Sequence, residues 1–238
     1  MAMRVSVNDL VLVQGMRDTK LTLKRWNEKP ARILGPWVLV SFAVSAALLS
    51  AIWVVATLTP SDVSDELDAL GVYRAPDLDD YLFVLARNSL VLALHGMACV
   101  AGFIAGSAIP LSASNRSGLD RWVHEQAGRF AIGFVICATT FSLCTQAYII
   151  GGDTAIISKQ LGLSPGMLVL GLLPHALPEL TALFLPLAAW LIASRRGRWE
   201  ELLAATFVTV GCAVPVLLLT GVVELWVSPE LIRLLAGR

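Results

Sequence analysis

Charge is scarce in this chain. Asp, Glu, Lys and Arg make up 15% of its 238 residues, where a soluble domain of this size carries roughly a quarter. The charges that are present cancel, 18 against 18, so nothing global points to nucleic acid or to an acidic partner. No basic patch is interleaved with aromatics, and no zinc-type Cys/His spacing occurs. Cys99, Cys137, Cys144 and Cys212 all fall in apolar stretches and form no C-x-x-C pair, so they read as small buried hydrophobes and not as a disulfide framework. A secretory signal is not expected either, because the first 32 residues are mixed and strongly charged.

What the chain has in abundance is apolar surface. Hydrophobic residues account for 56% of it and the mean hydropathy is +0.72. The charges crowd into short segments and leave long apolar runs between them. Runs of about 20 residues match the hydrocarbon thickness of a bilayer when helical. The expected fold is therefore all-α, a membrane bundle of about five transmembrane helices: 33–58, 82–109, 128–150, 166–194 and 201–225. Residues 1–32 would form an N-terminal arm, 33–227 the transmembrane bundle and 228–238 a short tail, with Ser228 and Pro229 able to start a helix. Leu10, Val13, Leu21 and Trp26 could place the arm on the membrane surface, although their periodicity is poor. Trp37 and Trp53 suit the two interfaces of the first span.

The fourth segment stands apart, because Pro174, Pro178 and Pro186 interrupt it. Proline removes a backbone donor and clashes with the preceding turn, and in lipid the freed carbonyls need protein or water. A break near Pro174–Pro178, facing the bundle, is the expectation. Pro215 predicts a kink in the fifth segment.

Orientation follows from the basic residues. The arm holds seven, Arg4, Arg17, Lys20, Lys24, Arg25, Lys29 and Arg32. Later loops alternate: Arg74 alone, Arg116 with Arg121, Lys159 alone, then Arg195, Arg196 and Arg198. The positive-inside rule puts the N-terminus in the cytoplasm and the acidic loop, with Asp62, Asp65, Glu66, Asp68, Asp77, Asp79 and Asp80, outside. Arg233 and Arg238 in the tail oppose this mildly. The acidic loop lacks the ligand spacing of a calcium loop.

Ionisable groups inside spans cost several kcal/mol if exposed to lipid, so they are functional candidates by default. They are few: Arg87, Asn88 and His95 on the second span, His175 and Glu179 on the fourth, Glu224 on the fifth. At about 1.5 Å rise per residue, Arg87, Asn88 and Glu224 sit near the outer ends of their helices, and His95 and Glu179 about halfway down. Asn88, His95, His175 and Glu179 are expected to form one buried polar cluster, with Arg87 pairing Glu224. Such groups can equally serve only to hold helices together, and Arg87 and Glu224 can reach the interface by snorkelling. His175 and Glu179, one turn apart, are too few for a metal site, so neither metal nor cofactor is expected. No serine or cysteine nucleophile stands beside them in sequence, which makes a hydrolase the weakest reading and leaves no catalytic residue to name. Gly102 and Gly106, with Ala98, form a small-xxx-small pattern that lets helices approach closely, within the chain or across a homo-oligomer.

The string Leu172-Leu-Pro-His-Ala-Leu-Pro-Glu-Leu-Thr-Ala-Leu-Phe184 resembles the signature of the stage II sporulation protein M family, where a Pro-His-Gly-x-x-Glu-Leu type segment opens a membrane helix. Arg87-Asn88-Ser89 is similar to the family's paired asparagines, and Gly221-Val-Val-Glu224 followed by Ser228-Pro229 to its closing element. Ala176 stands where glycine is common and Ser89 where a second asparagine is usual. The resemblance covers about residues 80 to 232. It implies a multi-pass protein of the bacterial cytoplasmic (inner) membrane and a role in envelope remodelling, since the namesake works with cell-wall-degrading partners. It carries over to Asn88, His175, Pro178, Glu179, Glu224 and Pro229. The expectation is thus a non-enzymatic membrane scaffold with lipid and other envelope proteins as partners and no nucleic acid. The alternative is a permease or transporter component whose polar pathway is lined by His175 and Glu179.

Overall fold

A computed structural model describes residues 11–60, 75–108 and 117–237, which are helical with no strand. The acidic-loop residues Asp62, Asp65, Glu66, Asp68 and Arg74 lie outside the described residues, as do Arg4, Leu10, Arg116 and Arg238. In chain order the helices are α1 (Val11–Asn27), α2 (Pro30–Leu58), α3 (Leu78–Phe103), α4 (Gly118–Leu161), α5 (Pro165–Arg195), α6 (Leu202–Val222) and α7 (Ser228–Leu235). Wide π turns follow α3 and α6 at Ile104–Ala108 and Val223–Val227, and a 3-10 turn at Trp199–Glu201 precedes α6. Among the described residues five stretches are long and apolar enough to cross a membrane: Pro30–Leu58, Leu78–Gly106, Gly128–Leu161, Pro165–Arg195 and Trp199–Leu235. The chain is an all-α protein of multi-pass membrane type.

Local chemistry sets the helix ends. Asp77 accepts from the backbone N–H groups of Asp79 and Asp80 at 2.9 and 3.1 Å, while Asp80 accepts from the N–H of Asp77 at 2.9 Å. This reciprocal capping satisfies donors that the first turn of α3 leaves open. Ser164 and Pro165 open α5, with the Ser164 hydroxyl accepting from Met167 N–H at 3.3 Å. Gly162 and Gly197 end α4 and α5 with φ of 70° and 67°. In each case the residue beyond the glycine donates back to Ser158 or Ala193, at 2.8 and 2.9 Å. That geometry needs a residue free to adopt positive φ.

Two expectations are corrected here. The third span does not stop at Ile150; α4 continues to Leu161, 44 residues in all. Asp153 and Lys159 do not break it because both are exposed on the helix, and no proline arrives before Pro165. The fourth helix is not unwound at Pro174–Pro178 either: α5 is helical without interruption from Pro165 to Arg195. Both prolines lie on its exposed side, while His175 and Glu179 lie on the buried side. Each proline forfeits one backbone bond, whereas unwinding a turn in lipid would strand several polar groups at several kcal/mol each.

The chain divides into two compact units. Unit 1 comprises Met1–Ser41, Leu92–Cys137 and Phe184–Ala213. Its core joins Trp26, Trp37, Ala188, Ala189, Ala204 and Ala205, with a second cluster of Cys99, Phe103, Trp190, Ala193 and Leu202. The Trp26 and Trp37 rings meet edge to face, 5.3 Å apart, so Trp37 is a core residue and not an interfacial anchor. Trp26 draws α1 into this core, while Leu21 on the same helix is 66% exposed. A side chain at Gly102 would run into Trp190, and one at Gly106 into Trp199. The small-residue pattern is therefore filled by indoles of the same chain. Cys99 donates its thiol to the Pro186 carbonyl at 3.1 Å.

Unit 2 comprises Phe42–Val91, Ala138–Leu183 and Val214–Arg238. Leu48, Leu49, Ile52, Ala56, Val84, Ala147, Ala155, Leu168, Ala182, Leu183 and Leu217 are among its buried apolar residues. It also contains the polar groups described next.

Candidate polar centre

Five helical segments of unit 2 contribute to the centre. From α3 come the neighbours Arg87 and Asn88, which point different ways: Asn88 is 3% exposed, whereas the Arg87 side chain is 54% exposed. From α5 come His175 and Glu179, 8% and 7% exposed. Their spacing of four residues puts them on one face of an unbroken helix. From α6 comes Thr220, 4% exposed, and from the π turn after it Glu224. From α7 comes Ser228, 1% exposed. Single π turns inside helices recur at functional sites, because they re-aim one side chain without ending the helix.

The contacts are of two kinds. Arg87 Nη2 lies 3.6 Å from Glu224 Oε1, a half-exposed ion pair. Deeper, His175 Nδ1 and Ser228 Oγ share a buried hydrogen bond of 2.7 Å. One turn along, Gly171 of α5 leaves room for Ile232 of α7, so the two helices cross with a polar contact and an apolar contact in register. Tyr81 steadies the other side: its hydroxyl donates to the Leu218 carbonyl at 3.0 Å and its ring lies 6.0 Å from Trp226.

Glu179 has polar neighbours in Thr220 and Asn88, with Arg87 and Glu224 close enough to act on its charge. Even so, Glu179 Oε2 and Asn88 Nδ2 are buried with no hydrogen bond of good geometry, and Glu224 Oε2 shares that state. Leaving a buried polar atom unpaired costs about 1–3 kcal/mol, more where the group is charged. Two carboxylates, Glu179 and Glu224, face one guanidinium. His175 is engaged with the Ser228 hydroxyl, and Thr220 supplies a second hydroxyl beside Glu179. Two of the three open atoms are carboxyl oxygens and the third, Asn88 Nδ2, is a donor.

His95 is a residue of unit 1, half-buried, with its ring 5.6 Å from that of Phe184. Arg87, Asn88, His175, Glu179 and Glu224 belong to unit 2. Sequence reasoning missed Ser228, Thr220 and Tyr81 as parts of the centre. Ser228 had one signal, its place in the Ser228-Pro229 element. Thr220 and Tyr81 had none, since a threonine in a span most often bonds its own helix, as Thr220 also does to the Leu217 carbonyl at 3.3 Å. No group of three or more His, Cys, Asp or Glu positioned for a metal ion occurs among the described residues. No protein-family model, curated protein or solved structure matches the chain.

Proposed function

We propose that the chain is a permease or transporter component of a bacterial cytoplasmic membrane, in which the polar centre takes up and releases a proton or monovalent cation. The observation that carries this reading is the buried, unpaired Oε2 of Glu179 beside a second carboxylate. Polar groups kept only to hold helices together gain by satisfying one another; a carboxylate oxygen held open inside a span is what a transient cation needs. The N-terminus lies in the cytoplasm, on the argument of the basic arm. The test is flux of protons or sodium in vesicles containing the full chain, with Glu179→Gln as the variant. Flux dependent on pH and lost in Glu179→Gln is the expected result. Equal flux in the two proteins, or none above empty vesicles in either, overturns the reading.

A second reading has its own support. From Gly128 to Leu161, α4 keeps most of its apolar surface outward, with Phe134, Phe141 and Tyr148 exposed at 74%, 75% and 74%. A helix so little used by its own chain suits a scaffold that recruits other membrane proteins, the role implied by the resemblance to stage II sporulation protein M. Under this reading a cell-wall-degrading partner co-purifies with the native protein, is lost in Phe134→Ser/Phe141→Ser and is retained in Glu179→Gln.

A further inference from the structure

Unit 1 holds a second charged site of a different kind. A crevice there is lined by Trp26, Arg32, Trp37, Arg196, Arg198 and Glu201, with apolar side chains completing its wall. Three guanidinium groups thus meet one carboxylate. Glu201 is 4% exposed and its Oε2 is held by Arg198 Nη1 at 3.3 Å. Its other oxygen lies 4.0 Å from Arg25 Nη2, outside the crevice lining. The single anion is therefore already matched. Arg32 and Arg196 are exposed, and among the described residues neither has a carboxylate partner. They are two spare cations on one small cleft.

Their position narrows what they meet. Arg32 stands in the first turn of α2, whose membrane-crossing stretch begins at Pro30, and Arg196 directly follows the end of the stretch Pro165–Arg195. Span ends lie at headgroup level, and basic pockets between membrane helices at that level suit anionic headgroups. Guanidinium groups match phosphate oxygens through paired N–H donors. The enclosed space is only about 20 Å³, room for about one water. A nucleotide or other bulky solute does not fit inside. A phosphodiester lying across the mouth, with its acyl chains remaining in the bilayer, needs no larger cavity. We propose that this crevice is a binding site for the phosphate headgroup of an anionic phospholipid, held by Arg32 and Arg196, with Arg198 oriented by Glu201 at its edge.

The test uses the purified full chain, stripped of lipid in detergent and titrated with phosphatidylglycerol or phosphatidylcholine of the same acyl chains, with bound lipid counted by native mass spectrometry. A saturable single adduct favouring phosphatidylglycerol by roughly tenfold or more is expected from two uncompensated arginines. Arg32→Gln/Arg196→Gln should remove most of that preference. Arg195→Gln, from the same basic run but outside the crevice, should leave it intact. Inorganic phosphate should displace the lipid poorly. Equal binding of the two lipids by the unaltered protein overturns the proposal, and does so even if the double variant fails to fold. Equal loss in Arg195→Gln would reduce the effect to general surface charge. Full displacement by inorganic phosphate would make the site one for a free anion, which also overturns it.

Discussion

Unit 1 and unit 2 both turn buried hydroxyls onto their own helices, as Thr154 and Ser158 do in unit 2, but they treat buried charge differently. In unit 1, Ser41, Ser194 and Thr209 turn their hydroxyls back onto carbonyls of their own helices, at 2.9, 2.6 and 2.7 Å. Its buried carboxylate, Glu201, is paired with arginine. Trp190 Nε1 is its one buried side-chain atom without a partner among the described residues. In unit 2, by contrast, polar groups from α3, α5, α6 and α7 reach towards each other and still leave three atoms open, on Asn88, Glu179 and Glu224. In unit 1 the buried carboxylate is matched by arginine, whereas in unit 2 buried carboxyl oxygens are left open. The lesson is that burial of a charge says little until its partners are counted.

That contrast can be broken by stability measurements, taken as thermal or denaturant unfolding of the full chain in detergent. Trp190→Ala should have the largest effect, a loss of about 3–5 kcal/mol, because a 2% exposed indole leaves a cavity between helices. A loss below about 1 kcal/mol would mean that unit 1 is not tightly packed. Gly102→Ala should follow, at about 1–3 kcal/mol, since its methyl group has to displace the Trp190 ring. Gly152→Ala in unit 2 meets nothing and should be neutral or slightly stabilising, by up to about 1 kcal/mol. Equal penalties at the two glycines would mean that the Trp190 ring yields to the added methyl group without cost.

The remaining two variants probe unit 2. Ser228→Ala should cost about 1–2 kcal/mol, because His175 Nδ1 loses its buried partner. If the cost is absent, a water or another group takes over and the α5–α7 contact is not what holds the centre. Arg87→Gln should have the smaller effect of these two, below about 1 kcal/mol and shrinking with salt, since a half-exposed ion pair is screened by solvent. A larger loss would show that Arg87 neutralises Glu179 as well as Glu224. That result would sharpen the charge count on which the cation reading rests.

Much of this arrangement was legible from residue types. The five spans followed from apolar run length: the first, second and fourth stand within a few residues of Pro30–Leu58, Leu78–Gly106 and Pro165–Arg195, while the fifth, expected over 201–225, runs on from Trp199 to Leu235. Asn88, His175, Glu179 and Glu224 were candidates because their burial in a span is costly, a property of the side chains alone. The extension of α4 past Ile150 was not legible, since Asp153 and Lys159 resemble a loop until it is known that both point outward. The outward placement of Pro174 and Pro178 was hidden for a related reason. Proline chemistry predicts a lost bond, but not which side of the helix loses it. His175 and Ser228 stand 53 positions apart, and no local periodicity links them.

Composition and run length alone settle that the chain is helical, membrane-crossing and poor in charge, because the cost of polar groups in hydrocarbon depends on each segment independently. Which polar groups find partners is decided by the tertiary structure. Hydrogen bonds and ion pairs need atoms within a few ångströms, and only the packing of helices distant in sequence brings Ser228 to His175 or leaves an oxygen of Glu179 open.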